Sequence, residues 1–299
     1  MYDSLQEALA AAYGPGVEVE DRVPASGSAL NEVWHLHLSN GEVLFLKTNA
    51  FAKWKYFTAE EAGLAAIRST GTISVPRCLG SGTATGCGFQ RQFSFLLMEQ
   101  LASAAQTADF WETFAEELAA MHRAPTAEYV PGGVYGFRED NVIGTTKQVN
   151  TPKDSWVDFF RENRLEFQFK LAYDCFGDGE KKDFARLLDR LDTLLPEPEY
   201  PSLLHGDLWG GNFMTGPDGK AWLIDPAVSV GHREADLAMT ELFGGFSRTF
   251  YETYYEAASI EKDYRDRRDL YNLYHLLNHL NLFGGSYYGS VVQTLRRYV

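Results

Sequence analysis

The sequence lacks the long apolar run that a membrane-spanning helix needs. No stretch of about 18 apolar residues occurs in its 299 residues, so we expect no transmembrane helix and no membrane partner. The first residues, 1–7, contain neither a basic region nor an apolar core, so we expect no secretory signal and predict a cytoplasmic protein. Internal repeats and low-complexity tracts are also absent.

Cysteine is scarce and is not spaced for metal binding. The chain has 3 cysteines, Cys78, Cys87 and Cys175, and none forms a CxxC pair. Their odd number favours reduced thiols, as is usual in the cytoplasm.

Basic residues are outnumbered by acidic ones. The sequence has 27 Lys and Arg against 41 Asp and Glu, a net charge of −14, and its pI is about 4.9. This balance argues against nucleic acid or an anionic membrane as partner, whereas it permits a cationic substrate. The 45% hydrophobic content excludes a disordered chain, and the length allows two domains.

A β-hairpin is predicted near the start of the chain. Residues 33–38 and 42–47 read as strands, and the Asn-Gly pair between them favours a tight turn. Lys47 shares a face with Val43 and Phe45, so it either extends to water or points into a cleft.

A helix is predicted over 58–69, opened by a capping box of Thr58 and Glu61. Glu60 falls on the apolar stripe of this helix. A carboxylate there needs a partner because burying it unpaired is costly, and Lys47 on the preceding strand is the natural candidate.

The character of the sequence changes near residue 100. Strand patterns dominate before it, whereas helical spacing recurs after it, at 155–172, 183–195 and 265–283. We therefore predict an α+β fold with a small β-rich nucleotide-binding lobe, 1–100, and a larger helical catalytic and substrate-binding lobe, 101–299.

The densest chemical signal lies in residues 203–226. A turn at 216–219 should pair 212–215 with 221–224 as a hairpin, which would place Asn212 beside Asp225, with Asp207 one short loop away. Two carboxylates and an amide are the hard oxygen ligands that Mg²⁺ prefers.

The spacing of Asp207 and Asn212 is that of a kinase catalytic loop. There the Asp accepts the substrate hydroxyl proton, and the Asn and a later Asp hold metal. The alternative is that Asp207 and Asn212 are ordinary turn residues. The adjoining His-Gly-Asp, the turn and the apolar strand that ends in Asp225 favour the kinase interpretation.

The other parts of a kinase can be placed on this pattern. Lys47 would steady the nucleotide phosphates and pair with Glu60. A turn of small residues over 25–31, which includes Gly27 and Ser28, is positioned to cover the phosphates, although it lacks a full GxGxxG. The adenine should meet the junction of the lobes at Glu99, Gln100 and Leu101.

The sequence resembles the fructosamine kinase (ketosamine-3-kinase) family. The matching stretches are 136–146, 148–156, 205–212, 224–228, 231–239 and 276–285, and the resemblance runs from about residue 24 to about residue 288. The family's fold, similar to that of aminoglycoside and choline kinases, implies a two-lobed protein-kinase-like architecture.

The resemblance implies ATP-dependent phosphorylation of the third hydroxyl of a ketoamine, either a small molecule or a glycated protein. The family's product decomposes and frees the amine, so the implied role is deglycation repair. Asp207 would be the catalytic base, Asn212 and Asp225 the Mg²⁺ ligands, Lys47 the phosphate-binding lysine and Glu60 its partner. The adenine contacts would extend to Ala102.

Further roles follow only by resemblance. Substrate contacts are predicted for Trp209, Gln148, Asn150, Trp156 and Glu234. The alternative for Gln148, Asn150 and Trp156 is a core tryptophan with satisfied amides, and for Glu234 a solvated acid at a helix start. His205 and Asp236 are expected to orient and brace the catalytic loop.

Two rival functions stay open at the level of sequence. One is a kinase of another small amine, such as an aminoglycoside or choline. The other is a pseudokinase that binds a partner without catalysis, which the intact set of Lys47, Glu60, Asp207, Asn212 and Asp225 disfavours.

Overall fold

The computed structural model describes residues 1–26, 30–86, 89–260 and 263–299. The predicted phosphate-covering residues Gly27 and Ser28 lie outside the described residues. The chain divides into two compact units. Unit 1 consists of Met1–Ala108 and Met214–Asp225, and unit 2 of Asp109–Phe213 and Pro226–Val299.

Unit 1 is built on an antiparallel sheet. Its strands are β1 (Val19–Pro24), β2 (Glu32–Leu38), β3 (Val43–Ala50), β4 (Cys78–Gly86) and β5 (Phe89–Glu99). They lie in the order β1-β2-β3-β5-β4, and every neighbouring pair is antiparallel. The predicted hairpin is confirmed as β2 and β3, with Gly41 at φ +86° in the turn, a conformation that glycine adopts without strain.

The core of unit 1 lies between this sheet and helix α1 (Leu5–Tyr13). The helix begins at Ser4, whose hydroxyl accepts a hydrogen bond from the Glu7 N–H. Alternate residues of the strands, such as Leu44 and Leu46 on β3, point toward the helix and are fully buried. Burial of each such leucine contributes about 2 kcal/mol, so this face fixes the register of β3.

Strand β4 has a composition that is unusual for a strand. Strand β4 carries many Gly, Ser and Thr residues, which conceal the usual strand pattern. One of them, Gly82, is needed because a Cβ there would lie 2.0 Å from the Tyr2 carbonyl oxygen. The lack of a side chain at this position lets Tyr2 form a bridge with the strand.

Helix α2 (Trp54–Ser69) begins before the predicted start at Thr58. The capping-box prediction is therefore wrong: the Thr58 hydroxyl donates to the Lys55 carbonyl (3.1 Å) inside the helix. Glu61 instead accepts a hydrogen bond from the Ser81 hydroxyl (2.5 Å). The chain enters α2 directly from the 3₁₀ turn Phe51–Lys53, so no separate cap is required.

The predicted hairpin after the catalytic loop is confirmed as β9 (Phe213–Thr215) and β10 (Ala221–Leu223). Most of it belongs to unit 1, because the Leu223 N–H donates to the Ser74 carbonyl (2.9 Å) and the Ala104 N–H donates to the Gly216 carbonyl (3.3 Å). The division therefore differs from the predicted boundary at residue 100. It lies after Ala108, and Met214–Asp225 returns to the first unit.

Unit 2 is mainly helical. Its helices are α3 (Phe110–Arg123), α4 (Trp156–Phe160), α5 (Phe167–Leu171), α6 (Asp178–Leu194), α7 (Glu234–Leu242), α8 (Arg248–Ala258), α9 (Tyr264–Phe283) and α10 (Tyr288–Arg297). Its short strands β6 (Asn141–Ile143) and β7 (Thr146–Gln148) pair with each other, as do β8 (Ser202–Leu204) and β11 (Ser229–Gly231). The predicted change from a β-rich first part to a helical second part is confirmed.

The core of unit 2 is aromatic and surrounds α3 and α9. Phe114 on α3 packs against Phe250 on α8, with ring centroids 5.2 Å apart. Most side chains of α9 are buried, including several polar ones, so this helix passes through the centre of the unit. Between α4 and α5 the helix widens to π geometry over Arg161–Glu166, and Arg164 of this segment is buried.

Two further sequence expectations concern membranes and thiols. Among the residues that the structure describes, no helix combines the length and the apolar character needed to cross a bilayer. Cys78 is half-buried, Cys175 is exposed, and both are free thiols.

Candidate active site

In unit 1, one lysine joins the sheet, helix α2 and the segment that follows β10. The Lys47 side chain is buried, and its Nζ donates to Glu60 Oε1 at 2.6 Å and to Asp225 Oδ1. The structure therefore gives Lys47 the partner that its strand position and the apolar stripe of α2 predict. It also brings Asp225, predicted as a metal ligand, to the same ammonium group.

Electrostatics keep this lysine charged. Burial alone lowers the pKa of Lys47, but the carboxylates of Glu60 and Asp225 outweigh it and hold the pKa above its usual value. For Glu60, burial raises the pKa more than Lys47 lowers it, and the second carboxylate of Asp225 adds to the rise. One cation is thus shared by two acids that repel each other, and a further positive charge near Asp225 would relieve that repulsion.

Asp225 has an unusual backbone conformation. Its φ is +53°, in the left-handed region that residues with a side chain rarely adopt. This conformation costs about 1 kcal/mol or more, which the surrounding contacts must offset. Strain of this kind is common where a side chain must be aimed at a ligand.

The residues predicted to meet adenine lie where β5 ends. Both the backbone and the side chain of Glu99 form hydrogen bonds with the backbone of Arg77. The Glu99 N–H donates to the Arg77 carbonyl (3.0 Å), and Glu99 Oε1 accepts from the Arg77 N–H (2.6 Å). Gln100 donates through Nε2 to the Leu101 carbonyl (2.9 Å). Leu101 is buried and Ala102 is exposed. Adenine contact for these four residues stays a prediction.

In unit 2, the predicted catalytic loop, residues 205–212, follows β8, and its backbone course depends on a glycine. Gly206 has φ +82°, and a Cβ there would lie 2.0 Å from the Ala227 carbonyl oxygen. The Ala227 N–H donates to the His205 carbonyl (2.8 Å), so the segment after Asp225 lies directly on the loop. Only glycine permits this close approach.

Asp236 on α7 holds the start of the loop by both oxygens. Its Oδ2 accepts from the His205 N–H (2.6 Å), and its Oδ1 accepts from the Gly206 N–H (2.8 Å). Oδ2 also lies 3.2 Å from Nε2 of the buried His122. Burial raises the pKa of Asp236, but the hydrogen bonds and charges of His122, His205 and Gly206 outweigh it, so the net shift is downward. An ionised Asp236 thus braces the loop.

The rest of the loop closes on Asp207. Its N–H donates to Nδ1 of the buried His205 (3.3 Å), so this histidine orients the loop from inside. Asn212 Nδ2 donates to the Asp207 carbonyl (2.7 Å) and to Asp207 Oδ2 (3.1 Å). The structure therefore brings together the predicted base and one predicted metal ligand within unit 2.

Trp209 is the exposed aromatic residue of this loop. Its side chain is 39% exposed, and its ring covers Gly211, where a Cβ would lie 2.4 Å from the indole. The ring is thus folded back on its own loop, two residues beyond Asp207, and is open to a ligand.

Three other predicted substrate residues are buried within unit 2. Gln148 donates to Asn141 Oδ1 (2.8 Å) and to the Ala227 carbonyl (2.9 Å). Asn150 donates to Asn141 Oδ1 (2.9 Å) and accepts from Arg164 (2.9 Å). Trp156 is 2% exposed in the aromatic core. In the structure these amides support the segment behind the loop, and contact of the three residues with substrate stays a prediction.

Glu234 is also engaged by the protein. It is buried, and its two carboxylate oxygens accept from Arg267 on α9 at 2.8 and 2.6 Å. The predicted alternative of a solvated acid at a helix start is wrong because Glu234 is buried, and contact of Glu234 with substrate stays a prediction. Sequence reasoning missed this pair because Arg267 lies 33 residues further along the chain.

Several supporting residues carry no local sequence signal. Asn141 donates to the Val228 carbonyl (2.8 Å), and the Tyr254 hydroxyl lies 2.6 Å from Nδ1 of His122. These contacts join distant segments, so only the folded chain reveals them.

The donor set that was predicted for Mg²⁺ consists only of oxygens. Among the described residues, no group of three or more His, Cys, Asp or Glu side chains is arranged to hold a metal ion. Asn212 uses its Nδ2 for Asp207, which leaves its Oδ1 as the atom that could face a cation. Asn212 and Asp225 fit Mg²⁺ in chemical type, and nucleotide phosphates usually supply further oxygens.

Comparison with solved structures defines the class of protein. Two crystal structures named for fructosamine-3-kinase match, one from Haemophilus somnus 129PT (TM-score 0.84, 29% identity, 99% of this chain and 97% of that one). The second, from Thermobifida fusca, has a TM-score of 0.80 and 31% identity over 100% of this chain and 99% of that one. An aminoglycoside phosphotransferase at 16% identity shares the fold (TM-score 0.62). The predicted kinase-like α+β fold is confirmed.

Sequence comparison gives the family. Residues 1–299 match the family described as fructosamine kinase. A Synechocystis protein named "Probable ketoamine kinase" is 37% identical over 297 residues, covering 99% of this chain and 96% of that protein. The "Protein-ribulosamine 3-kinase, chloroplastic" of Oryza sativa subsp. indica is 37% identical over 257 residues, covering 85% and 72%. The chain belongs to the fructosamine kinase family.

Proposed function

We propose that this protein transfers the γ-phosphoryl group of ATP to the third hydroxyl of a ketoamine, a sugar joined through its first carbon to an amine. The family match over residues 1–299 is the observation that carries this proposal. The names of relatives, ketoamine kinase and ribulosamine 3-kinase, supply the substrate class.

The chemical step requires a positioned base and stabilised charge. A lone pair of the hydroxyl oxygen attacks the γ-phosphorus, and the bond from that phosphorus to the bridging oxygen breaks with its electrons remaining on ADP. The hydroxyl proton passes to the Asp207 carboxylate. The hydrogen bonds of Asp207 to His205 and Asn212 support this role, because they fix the base before substrate arrives.

Lys47 would bind phosphate oxygens of the nucleotide. Its burial and its ion pair with Glu60 support this role, since the ammonium is held charged on a rigid strand. When it is bound, Mg²⁺ would neutralise phosphate charge, and Asn212 and Asp225 are the residues proposed to hold it. The ion pair of Lys47 with Asp225 supports a common role, because it joins the proposed phosphate-binding cation to a proposed metal ligand.

The proposed biological role is deglycation. A ketoamine phosphorylated on the third hydroxyl would decompose and release the amine, and a glycated lysine would thereby be repaired. A cytoplasmic location stays a prediction.

The test is a substrate panel. The purified protein would be incubated with Mg-ATP and, separately, ribulosyl-lysine, fructosyl-lysine, choline or kanamycin, and mass spectrometry would detect phosphorylated products. We expect phosphorylation of a ketoamine by the native protein and its loss in Asp207→Asn. Transfer to choline or kanamycin alone would refute the ketoamine assignment, and binding of ATP without transfer to any of the four would favour a pseudokinase.

A further inference from the structure

Unit 2 carries an aromatic strip that begins in the catalytic loop. It consists of Trp209, Phe243, His279, Phe283 and Tyr287. Successive ring centroids are 6.2 Å apart from Trp209 to Phe243, 5.0 Å from Phe243 to His279 and 5.5 Å from His279 to Phe283. Tyr287 lies 5.0 Å from His279 and closes the far end.

The strip is accessible. Trp209 is 39%, Phe243 44% and Phe283 57% exposed, values that place these three among the exposed large apolar side chains. Large aromatic rings usually contribute to a core, so a connected exposed row of them marks an interaction surface.

The backbone holds the strip in place. Gly210 in the catalytic loop approaches the loop after α7 so closely that a Cβ on it would lie 3.2 Å from the Gly244 carbonyl oxygen. His279 is anchored on α9 by its Nδ1, which donates to the His275 carbonyl (2.7 Å). The first contact joins the catalytic loop to the loop after α7, and the second fixes the orientation of the His279 ring on α9.

The strip is also uncharged near neutral pH. Burial lowers the pKa of His279 more than its hydrogen bond to His275 raises it, so the imidazole is neutral. Such a surface fits apolar and aromatic groups.

The proposed reaction restricts what can lie on this surface. In a ketoamine the amine is attached to the first carbon and the phosphorylated hydroxyl to the third. When that hydroxyl meets Asp207, whatever bears the amine must therefore pass within a few bonds of the loop that carries Trp209. The strip starts in that loop, at Trp209, two residues after Asp207.

We infer that the aromatic strip binds the polypeptide that carries the ketoamine, and that it favours apolar or aromatic residues beside the glycated lysine. This inference rests on the proposed function. The three centroid steps, 6.2, 5.0 and 5.5 Å, span at most the length of about five extended residues. A peptide of about five extended residues is therefore long enough to cover the strip from Trp209 to Phe283.

The experiment compares three substrates that share one sugar: free glycated lysine, a glycated lysine flanked by phenylalanines in a short peptide, and the same peptide with glycine flanks. We expect the native protein to have a kcat/KM about fivefold to tenfold higher for the phenylalanine peptide than for the glycine peptide. In Phe283→Ala this preference should fall below about twofold. Leu171→Ala, which removes another exposed apolar side chain (54%) of unit 2, should retain it.

The outcomes separate this inference from the proposed function. Equal kcat/KM for both peptides in the native protein would overturn the inference while the ketoamine activity stands. The inference would also be overturned if Phe283→Ala lowered kcat/KM for all three substrates by the same factor. Absence of turnover on every ketoamine would refute the proposed function itself. The proposed role of the aromatic strip would then be refuted as well. Phe243→Ala is the second variant, and unchanged melting temperatures would verify that both variants are folded.

Discussion

The Nζ atom of Lys47 lies 2.6 Å from Oε1 of Glu60, and both side chains are largely withdrawn from solvent. The same ammonium contacts Asp225, so one cation serves two carboxylates. Removal of the lysine would take away the ammonium group that both acids contact. Its contribution to stability and its proposed contribution to phosphate binding are therefore measurable separately.

The first prediction concerns Lys47→Met. We expect the variant to lose about 3 kcal/mol of unfolding free energy, because the largely buried Glu60 carboxylate loses its ion pair with the Lys47 ammonium. We also expect kcat/KM for ATP to fall about 100-fold, the usual effect of removing one group that stabilises transition-state charge. Chemical denaturation and initial-rate kinetics would measure the two effects.

Two further variants sharpen that test. Adding Glu60→Gln should restore part of the lost stability without restoring activity, because it removes the buried acid that lost its ion pair but returns no cation. Lys55→Met, at an exposed lysine on the same helix as Glu60, should change neither quantity. Native stability together with native ATP kinetics in Lys47→Met would contradict the role assigned to this residue.

The second prediction concerns Gly206→Ala. The added Cβ would lie 2.0 Å from the Ala227 carbonyl oxygen at a backbone φ of +82°, so the loop must shift. We expect a loss of at least about 2 kcal/mol and of most activity, since Asp207 is the next residue.

Gly179→Ala is the matched control for that substitution. Gly179 lies in α6, and a Cβ added there would meet no atom within 4 Å. This variant should gain about 0.5–1 kcal/mol through helix propensity. Equal effects of the two substitutions on thermal unfolding would rule out the steric account of Gly206.

The third prediction concerns the pH dependence of stability. Burial and the neighbouring His279 lower the pKa of His275 from 6.5 to about 3. The unfolded chain therefore binds a proton below pH 6.5 that the folded chain does not, and stability falls as the pH falls from 6.5 toward 3. Relative to His275→Gln, the native protein should lose about 2 kcal/mol of unfolding free energy between pH 7 and pH 5.

The control for the histidine is His37→Gln, which alters an exposed imidazole on β2. It measures how the loss of a surface imidazole affects the free energy of unfolding. A difference between His275→Gln and the native protein that stays constant from pH 7 to pH 5 would show that His275 is not held neutral by its surroundings.

The sequence was informative where function and local pattern coincide. The pairing of Lys47 and Glu60 could be predicted because each is a charged residue in an otherwise apolar row. Lys47 interrupts the apolar face of a strand, and Glu60 interrupts the apolar stripe of a helix. The hairpin of β9 and β10 was marked by its turn residues. Both predictions depend on residues that are close along the chain.

The sequence was less informative where partners are distant or composition is ambiguous. The pattern of Thr58 and Glu61 resembles a capping box, yet α2 already runs through it, because Trp54 and its neighbours tolerate helix and the local pattern has no unique meaning. The sequence predicted that Glu234 is available to substrate or to solvent, whereas in the structure it is buried and paired with Arg267. Gln148 and Asn150 looked like pocket residues, whereas buried amides of this kind also satisfy backbone carbonyls.

The central claim is transfer of phosphate to the third hydroxyl of a ketoamine with Asp207 as base. The most direct measurement is two-dimensional ¹H–³¹P NMR of the product formed from Mg-ATP and ribulosyl-lysine, with Asp207→Asn in parallel. We predict a phosphorus signal coupled to the proton on the third sugar carbon, present with the native protein and reduced at least about 100-fold in the variant. Phosphate on another hydroxyl, or an equal yield from Asp207→Asn, would contradict the account.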